Sequence, residues 1–315
     1  MTTTADQEPL RVLQVAELPP EPPGQSAWLV ENLWGRQAVG VLGGQPKTAK
    51  TFLALEIALA VASGSPCLGR FCVPEPGPVL FFAAEDAPVN IRARLCDLAQ
   101  ARGVDFDTLP VFLILTNPLR LDLTGDLERL TQAVETLRPR LLVLDPFVRI
   151  HRLQENSAQD ISALLADLRA LQRRFELAIL LVHHTRKGNG QACGQDLRGS
   201  GDLFAWGDSY LYLQRTHDQL RLVAEHRAAR APEPIALDLT GDHVHLAIDA
   251  KPPRPLHDNL HQQVLQALRH QPQPVSQAQL RAILRVRNQT LTATLRQLMT
   301  DEKIQRVDNG WTLRP

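Results

Sequence analysis

Residues 39–62 read VGVLGGQPKTAKTFLALEIALAVA: an apolar strand enters Gly44-Gln45-Pro46-Lys47-Thr48-Ala49-Lys50-Thr51 and leaves into an amphipathic helix. The pattern is that of a phosphate-binding loop. A triphosphate tail needs convergent backbone N–H donors, a cation, and a hydroxyl that can hold magnesium. Gly44 lets the chain turn tightly, and the free N–H groups of Thr48 to Thr51 open a helix whose positive dipole end faces the phosphates. Lys50 is then placed to reach the β and γ phosphates and Thr51 to ligate the metal, with Lys47, Thr48 and Ala49 completing the cradle. Ala49 stands where the motif G-x-x-x-x-G-K-[ST] has glycine; if the position is left-handed, alanine costs about 1 kcal/mol, which a folded domain absorbs. A Gly-rich turn before an ordinary helix is the plainer alternative.

The surrounding chain has 315 residues, 44% hydrophobic and 22% charged, enough for one large core and a small satellite domain. Formal net charge is zero, so no global basic field advertises nucleic acid and any such site must be local. Cys67, Cys72, Cys96 and Cys193 are sparse and only the first two lie close together, which favours reduced thiols over a zinc site or a disulfide framework. Met1 to Leu10 lacks a basic-then-apolar signal pattern, and no apolar run approaches membrane-spanning length, so the expected location is cytoplasmic with no membrane partner.

Breaks in the pattern set the expected organisation: a polar, Pro-rich arm over residues 1–26, a large domain over 27–249, a Pro-rich linker over 250–257 and a small domain over 258–315. The strand candidates are Val39 to Leu42, Val79 to Ala83, Val111 to Leu115, Leu141 to Leu144, Ile179 to Val182, Ser209 to Leu213, Leu220 to Glu225, Ile235 to Leu239 and Val244 to Ile248. Helix-length segments separate the first five, the signature of an α/β fold with a mostly parallel sheet, whereas the closely spaced last four read as antiparallel hairpins.

Three strand ends carry chemistry. Leu141 to Leu144 closes on Asp145, and a carboxylate at the carboxyl edge of a parallel sheet lies beside the phosphate loop, where it can hold magnesium through water; a strand merely ending in a solvated Asp is the alternative. Val79 to Ala83 leads into Glu85 and Asp86: Glu85 is the candidate general base for a water attacking ATP, and Asp86 is expected to cap the helix that begins near Pro88. Ile179 to Val182 runs into His183 and His184. Successive strand residues point to opposite faces, so the two do not easily share one ion, and a polar side chain there is suited instead to sensing the γ phosphate. The Gly-rich, basic stretch from Arg186 to Arg198 follows, as a mobile loop or a plain surface excursion.

In this order, GQPKTAKT, FFAAED, LDPF with Glu155-Asn156 downstream, HHTRK and LRGS resemble the RecA-fold ATPases of the RepA hexameric replicative helicase group over Trp28 to Leu213. The resemblance implies a RecA-like P-loop core with an antiparallel extension, a homo-oligomeric, hexameric ring, ATP and Mg2+ bound between neighbouring subunits, and single-stranded DNA in the pore. It assigns Lys50 and Thr51 to phosphate and magnesium, Glu85 to catalytic base, Asp145 to the Walker B acid, His184 to γ-phosphate sensor and Arg198 to the finger offered to the adjacent subunit. Arg186 and Lys187 would open the loop that approaches nucleic acid. Ala49 departs from the motif.

The last segment reads separately. Leu260, Val264, Leu265 and Leu268 form a helical stripe, Ser276 caps a second helix through Leu284, Asn288 to Met299 forms a third, and Ile304 to Leu313 is a hairpin with an Asn-Gly turn. This resembles a winged helix-turn-helix domain. Residues 256–315 hold eight Lys or Arg against four acids, a local excess of plus four that the neutral whole conceals. Arg285, Arg287 and Asn288 cluster at the mouth of the third helix, with Thr290, Thr292 and Thr294 available for phosphate contacts to duplex DNA. A domain that contacts protein instead is the alternative. Taken together, the chain is expected to be an ATP-hydrolysing, DNA-dependent helicase or translocase of a plasmid, phage or mobile element. A DNA-binding regulator or helicase loader using ATP as a slow assembly switch, and an inactive nucleotide-binding scaffold, are the competing expectations.

Overall fold

The computed structural model describes residues 12–314 apart from 19, 21, 23, 117, 154–157, 186–200, 217–218, 251–255, 270, 272, 285, 287 and 308–309. A short antiparallel hairpin of β1 (Trp28–Val30) and β2 (Trp34–Gly35), which the sequence reading missed, precedes the phosphate-loop strand. The chain then runs through β3 (Val39–Gly44), α1 (Lys50–Ser63), β4 (Val79–Ala83), α2 (Pro88–Arg102), β5 (Val111–Ile114), α3 (Thr124–Leu137) and β6 (Leu141–Asp145). It continues as α4 (Ala158–Phe175), β7 (Ala178–His184), α5 (Gly201–Trp206), β8 (Ser209–Thr216), β9 (Gln219–His226), β10 (Ile235–Thr240) and β11 (His245–Ile248).

These last nine strands, from β3 on, form one sheet in the order β11-β10-β9-β8-β3-β7-β6-β4-β5. Strands β5, β4, β6, β7, β3 and β8 pair in parallel, and β8 to β11 pair antiparallel. The expectation that Ser209 opens an all-antiparallel group is therefore corrected at one strand. β8 lies parallel against β3, Gly40 opposite Ser209, and the stretch of chain between β7 and β8 is long enough for the crossover that parallel pairing requires.

Both faces of the parallel region are covered, and successive residues feed opposite cores. Leu141, Val143, Leu180 and Val182 pack with α1 and α2; Leu142, Leu144, Ile179 and Leu181 pack with α3 and α4. The expected amphipathic character of α1 does not hold: every residue from Leu53 to Ala62 is buried. A helix apolar all round must be covered all round, and α1 touches the sheet, α2 and β1. Its one internal carboxylate, Glu56, is fully buried, pairs with Arg102 of α2 and accepts the Leu68 N–H at 2.6 Å.

The final segment has its own core. Helices α6 (Leu256–Arg269), α7 (Gln277–Leu284) and α8 (Asn288–Thr300) and the hairpin β12 (Ile304–Val307) and β13 (Gly310–Leu313) enclose Val264, Leu280, Leu291, Leu295, Leu298 and Trp311. Ser276 caps α7 as expected: its Oγ accepts the Gln279 N–H at 3.3 Å and its own N–H donates to Gln279 Oε1 at 2.9 Å. Among the described residues no helix is long and apolar enough to cross a membrane.

The tightest packing is at β3, where a Cβ on Gly40 would lie 1.7 Å from the Ser209 carbonyl oxygen of β8. Gly40→Ala is expected to cost more than about 3 kcal/mol in urea unfolding or to prevent folding, because the Ser209 backbone cannot yield and the buried Trp34 ring closes in at 3.1 Å. Gly125→Ala on α3, where a Cβ meets nothing within 4 Å, is expected to stay within about 0.5 kcal/mol of the parent.

Candidate active site

The carboxyl ends of β3, β4, β6 and β7 converge on a cleft of ≈ 370 Å³ that receives Lys50, Glu85, Asp145 and His184 together with Lys47, Thr48, Ala49 and Thr51. Four segments distant in sequence thus meet where a parallel sheet places its ligands. Lys47 and Ala49 both hold left-handed backbone, φ 63° and 62°, and Ala49 is the N-cap of α1. No side chain caps that helix end, so its first-turn N–H groups face the cleft. Gly44 is required for a reason other than the tight turn expected of it. It is the last residue of β3, and a Cβ there would meet the Leu213 carbonyl oxygen at 2.6 Å and Thr48 Oγ1 at 2.8 Å.

Within the loop, Lys50 Nζ donates to the Gln45 carbonyl at 2.7 Å and Thr48 Oγ1 donates to the same oxygen at 2.8 Å. Burial pulls the Lys50 ammonium down to about 8, against the pull of the Asp145 and Glu85 charges. A largely desolvated cation bonded to a neutral carbonyl lacks a full anionic partner, which a phosphate provides. Asp145 is buried, and burial pushes its carboxyl up to about 6, opposed by a hydrogen bond from Thr51 and by the Lys50 charge. The Thr51 hydroxyl and the Asp145 carboxylate thus stand together as hard oxygen donors. Two protein ligands with phosphate and water filling the rest is the usual magnesium arrangement, and the pair fits it. Among the described residues no group of three or more His, Cys, Asp or Glu side chains is arranged to hold a metal without such help.

Glu85 lines the cleft beyond the end of β4 and is half-exposed, its Oε1 accepting from Arg149 Nε at 2.9 Å. Asp86 does not cap α2. Ala87 occupies the N-cap position, Pro88 has no N–H to offer, and Asp86 instead pairs with Arg94 at 2.6 Å. The two histidines diverge as strand alternation requires: His183 is buried with its ring edge-on to Phe147, whereas His184 reaches the cleft. Arg186, Lys187, Arg198, Arg285 and Arg287 lie outside the described residues. Asn288 opens α8 with its Oδ1 accepting from Gln277 Nε2 at 3.0 Å. Thr294 is buried, which removes it from the phosphate contacts expected of it, and the half-buried Thr292 donates its hydroxyl to the Asn288 carbonyl at 2.8 Å.

Sequence reading missed Phe52, Arg94, Arg215 and Leu239 among the lining residues. Arg94 stacks over the Phe52 ring at 4.9 Å, and Arg215 and Leu239 arrive from β8 and β10. None sits in a motif; strand order alone brings the last two beside the loop.

Two expectations follow from the site's electrostatics and backbone. The folded protein holds the Asp145 proton more tightly than the unfolded chain, whose aspartate titrates near 3.8. Asp145's own contribution to ligand-free stability is therefore fully present below that value and is lost as pH rises through about 6. Asp145→Asn should raise the thermal midpoint of the ligand-free protein at pH 8, by an amount equivalent to about 2 kcal/mol, and the gain should vanish by about pH 4. Ala49→Gly relieves a left-handed alanine and should stabilise the ligand-free protein by about 0.5–1 kcal/mol in the same melts.

Comparison with known proteins shows a match to the model of the AAA domain family over residues 4–190, a stretch that contains Lys50, Thr51, Glu85, Asp145 and His184. Among solved structures, the chain is similar to the KaiC-like protein PH0186 from the hyperthermophilic archaea Pyrococcus horikoshii OT3, at 16% identity and a TM-score of 0.49, covering 70% of this chain and 93% of that one. It is also similar to the RadB recombinase, at 15% identity and a TM-score of 0.49, covering 67% of this chain and 90% of that one.

Proposed function

This chain belongs to the AAA domain family, and on that premise we propose that it is a magnesium-dependent, RecA-like P-loop ATPase that acts on DNA, as a RepA-like replicative helicase or translocase of a plasmid, phage or mobile element. The observation that carries the reading is the convergence of buried Lys50, buried Asp145, Thr51 and Glu85 on one cleft at the carboxyl edge of the sheet. Lys50 and the first-turn N–H groups of α1 hold the triphosphate, and Thr51 and Asp145 hold magnesium. Magnesium bound there would supply positive charge to the phosphate oxygens. Glu85 orients the attacking water and takes its proton, and His184 at the tip of β7 senses the γ phosphate.

The resemblance to hexameric helicases supports a ring of identical subunits in which Arg198 completes the neighbour's site, and single-stranded DNA in the pore beside Arg186 and Lys187. The proposed units are an arm over 1–26, the ATPase over 27–249, a linker over 250–257 and a winged-helix domain over 258–315. Three helices followed by a two-stranded hairpin, with a basic excess of plus four over residues 256–315, support duplex contact through α8 near Arg285, Arg287 and Asn288. The engagement of Glu85 by Arg149 favours a second reading, a DNA-binding regulator or loader whose ATP site turns over slowly and switches assembly.

ATP hydrolysis measured with and without single-stranded DNA, at a concentration where oligomers form, separates the two. Lys50→Ala is expected to lower turnover about 100-fold or more, and Arg198→Ala about 1,000-fold, with DNA stimulation lost in both. Nucleotide binding without turnover, together with sequence-selective duplex binding, would replace the motor with the regulator.

A further inference from the structure

Glu85 lines two clefts: the one it shares with Lys50, and a second of ≈ 480 Å³ whose walls carry Arg120, Arg149 and Arg152. Three guanidinium groups stand there against two carboxylates, Glu85 and Asp122, a local basic excess that the neutral chain conceals. Their states differ. Arg120 is held at both ends by Asp122, at 2.8 and 2.5 Å. Arg149 donates to Glu85 at 2.9 Å, and Arg152 has no ion pair among the described residues.

Arg149 closes a short 3-10 turn, Phe147–Arg149, that directly follows the Walker B strand β6. Phe147 and Ile150 are buried on either side of it, so the turn is anchored while Val148 and Arg149 project outward. Both partners of the Arg149–Glu85 pair are close to half or more exposed, 61% and 49% at the side chain. An ion pair made in water is readily exchanged for a better one. A phosphodiester oxyanion is such a partner, since it matches the guanidinium fork and brings a second charge for Arg152 nearby.

We propose that Arg149 is a latch on Glu85 and that the phosphodiester backbone of a single nucleic-acid strand, bound in the arginine-lined cleft, releases it. The inference rests on Glu85 being the base of the ATPase proposed above. While Glu85 Oε1 accepts from Arg149, that oxygen is occupied and less available to a water in the Lys50 cleft. When a strand phosphate takes the guanidinium, the carboxylate is free to turn to that water. Hydrolysis is thereby slow in the free protein and fast on the strand, through one side-chain exchange. Arg149 is a positioning residue, acting through Glu85. A strand is favoured over a free phosphate because several arginines line one open cleft and half-exposed Val148 offers an apolar face at its wall for a base.

The test compares the full-length parent with Arg149→Gln, Arg149→Lys and Glu85→Gln. It follows ATP turnover with and without a single-stranded oligonucleotide, oligonucleotide binding by anisotropy, and binding of a fluorescent ADP analogue. Arg149→Gln is expected to raise strand-free turnover at least about threefold, towards the strand-stimulated rate of the parent, and to abolish the response to the strand; its oligonucleotide affinity falls about 3–10-fold with a shallower salt dependence. Arg149→Lys, which can still pair with Glu85, keeps the strand-free rate low. Glu85→Gln stays slow throughout while the analogue still binds. A merely structural role for Arg149 lowers the rate instead of raising it. If Arg149→Gln binds the analogue normally but hydrolyses no faster than the parent and still responds to the strand, the latch is refuted and the ATPase reading stands. If inorganic phosphate at the same phosphate concentration stimulates as strongly as the oligonucleotide, the strand is not the ligand. If the parent binds the analogue through Lys50 yet never turns over, the ATPase reading itself fails and the latch with it.

Discussion

Everything at the site depends on the burial of α1 from Leu53 to Ala62. A helix packed there against the sheet, α2 and β1 holds its N-terminus, with Lys50, at the cleft. The apolar residues from Leu53 to Val61 supply the driving force, each large side chain contributing roughly 1.5–3 kcal/mol when fully buried. That surplus lets the loop hold features unfavourable in themselves: two left-handed non-glycine residues, a buried ammonium and a carboxyl pushed up to about 6. The same unfavourable charges are what an anionic phosphate and a divalent cation relieve.

A second constraint is the close approach of β3 to its neighbours. Gly40 and Gly44 leave no room for a Cβ beside the β8 backbone, which brings β8 into the sheet as a parallel partner of β3. The antiparallel extension from β9 to β11 then grows from that edge, and Leu239 of β10 reaches the cleft from it, alongside Arg215 of β8. The extension therefore forms one wall of the pocket as well as an edge of the sheet.

The acidic residues at the cleft divide by environment. Asp145 is buried at the end of β6, beside Thr51 and Lys50 in the cleft, whereas Glu85 is half-exposed and paired with Arg149. Asp86, next in sequence to Glu85, is drawn off by Arg94. Adjacent residues thus acquire different environments through which arginine the tertiary structure brings to each.

The chain's local chemistry determined a good deal by itself. The strand–loop–helix of residues 39–62, the carboxylates ending β4 and β6, the divergence of His183 and His184, and the Ser276 cap all depend on periodicities of two and 3.6 residues and on short-range hydrogen bonds, which neighbouring residues dictate. What only the tertiary structure decided are relations between distant segments. The parallel pairing of β8, the burial of α1 from Leu53 to Ala62, the reason for Gly44, and the partners Arg149 and Arg94 each depend on what is packed alongside. An isolated stretch such as ELAILLVHHTRK shows where a strand ends and which way its side chains alternate. It carries no record of its neighbours, because strand order is set by long crossovers and by summed burial across the whole sheet.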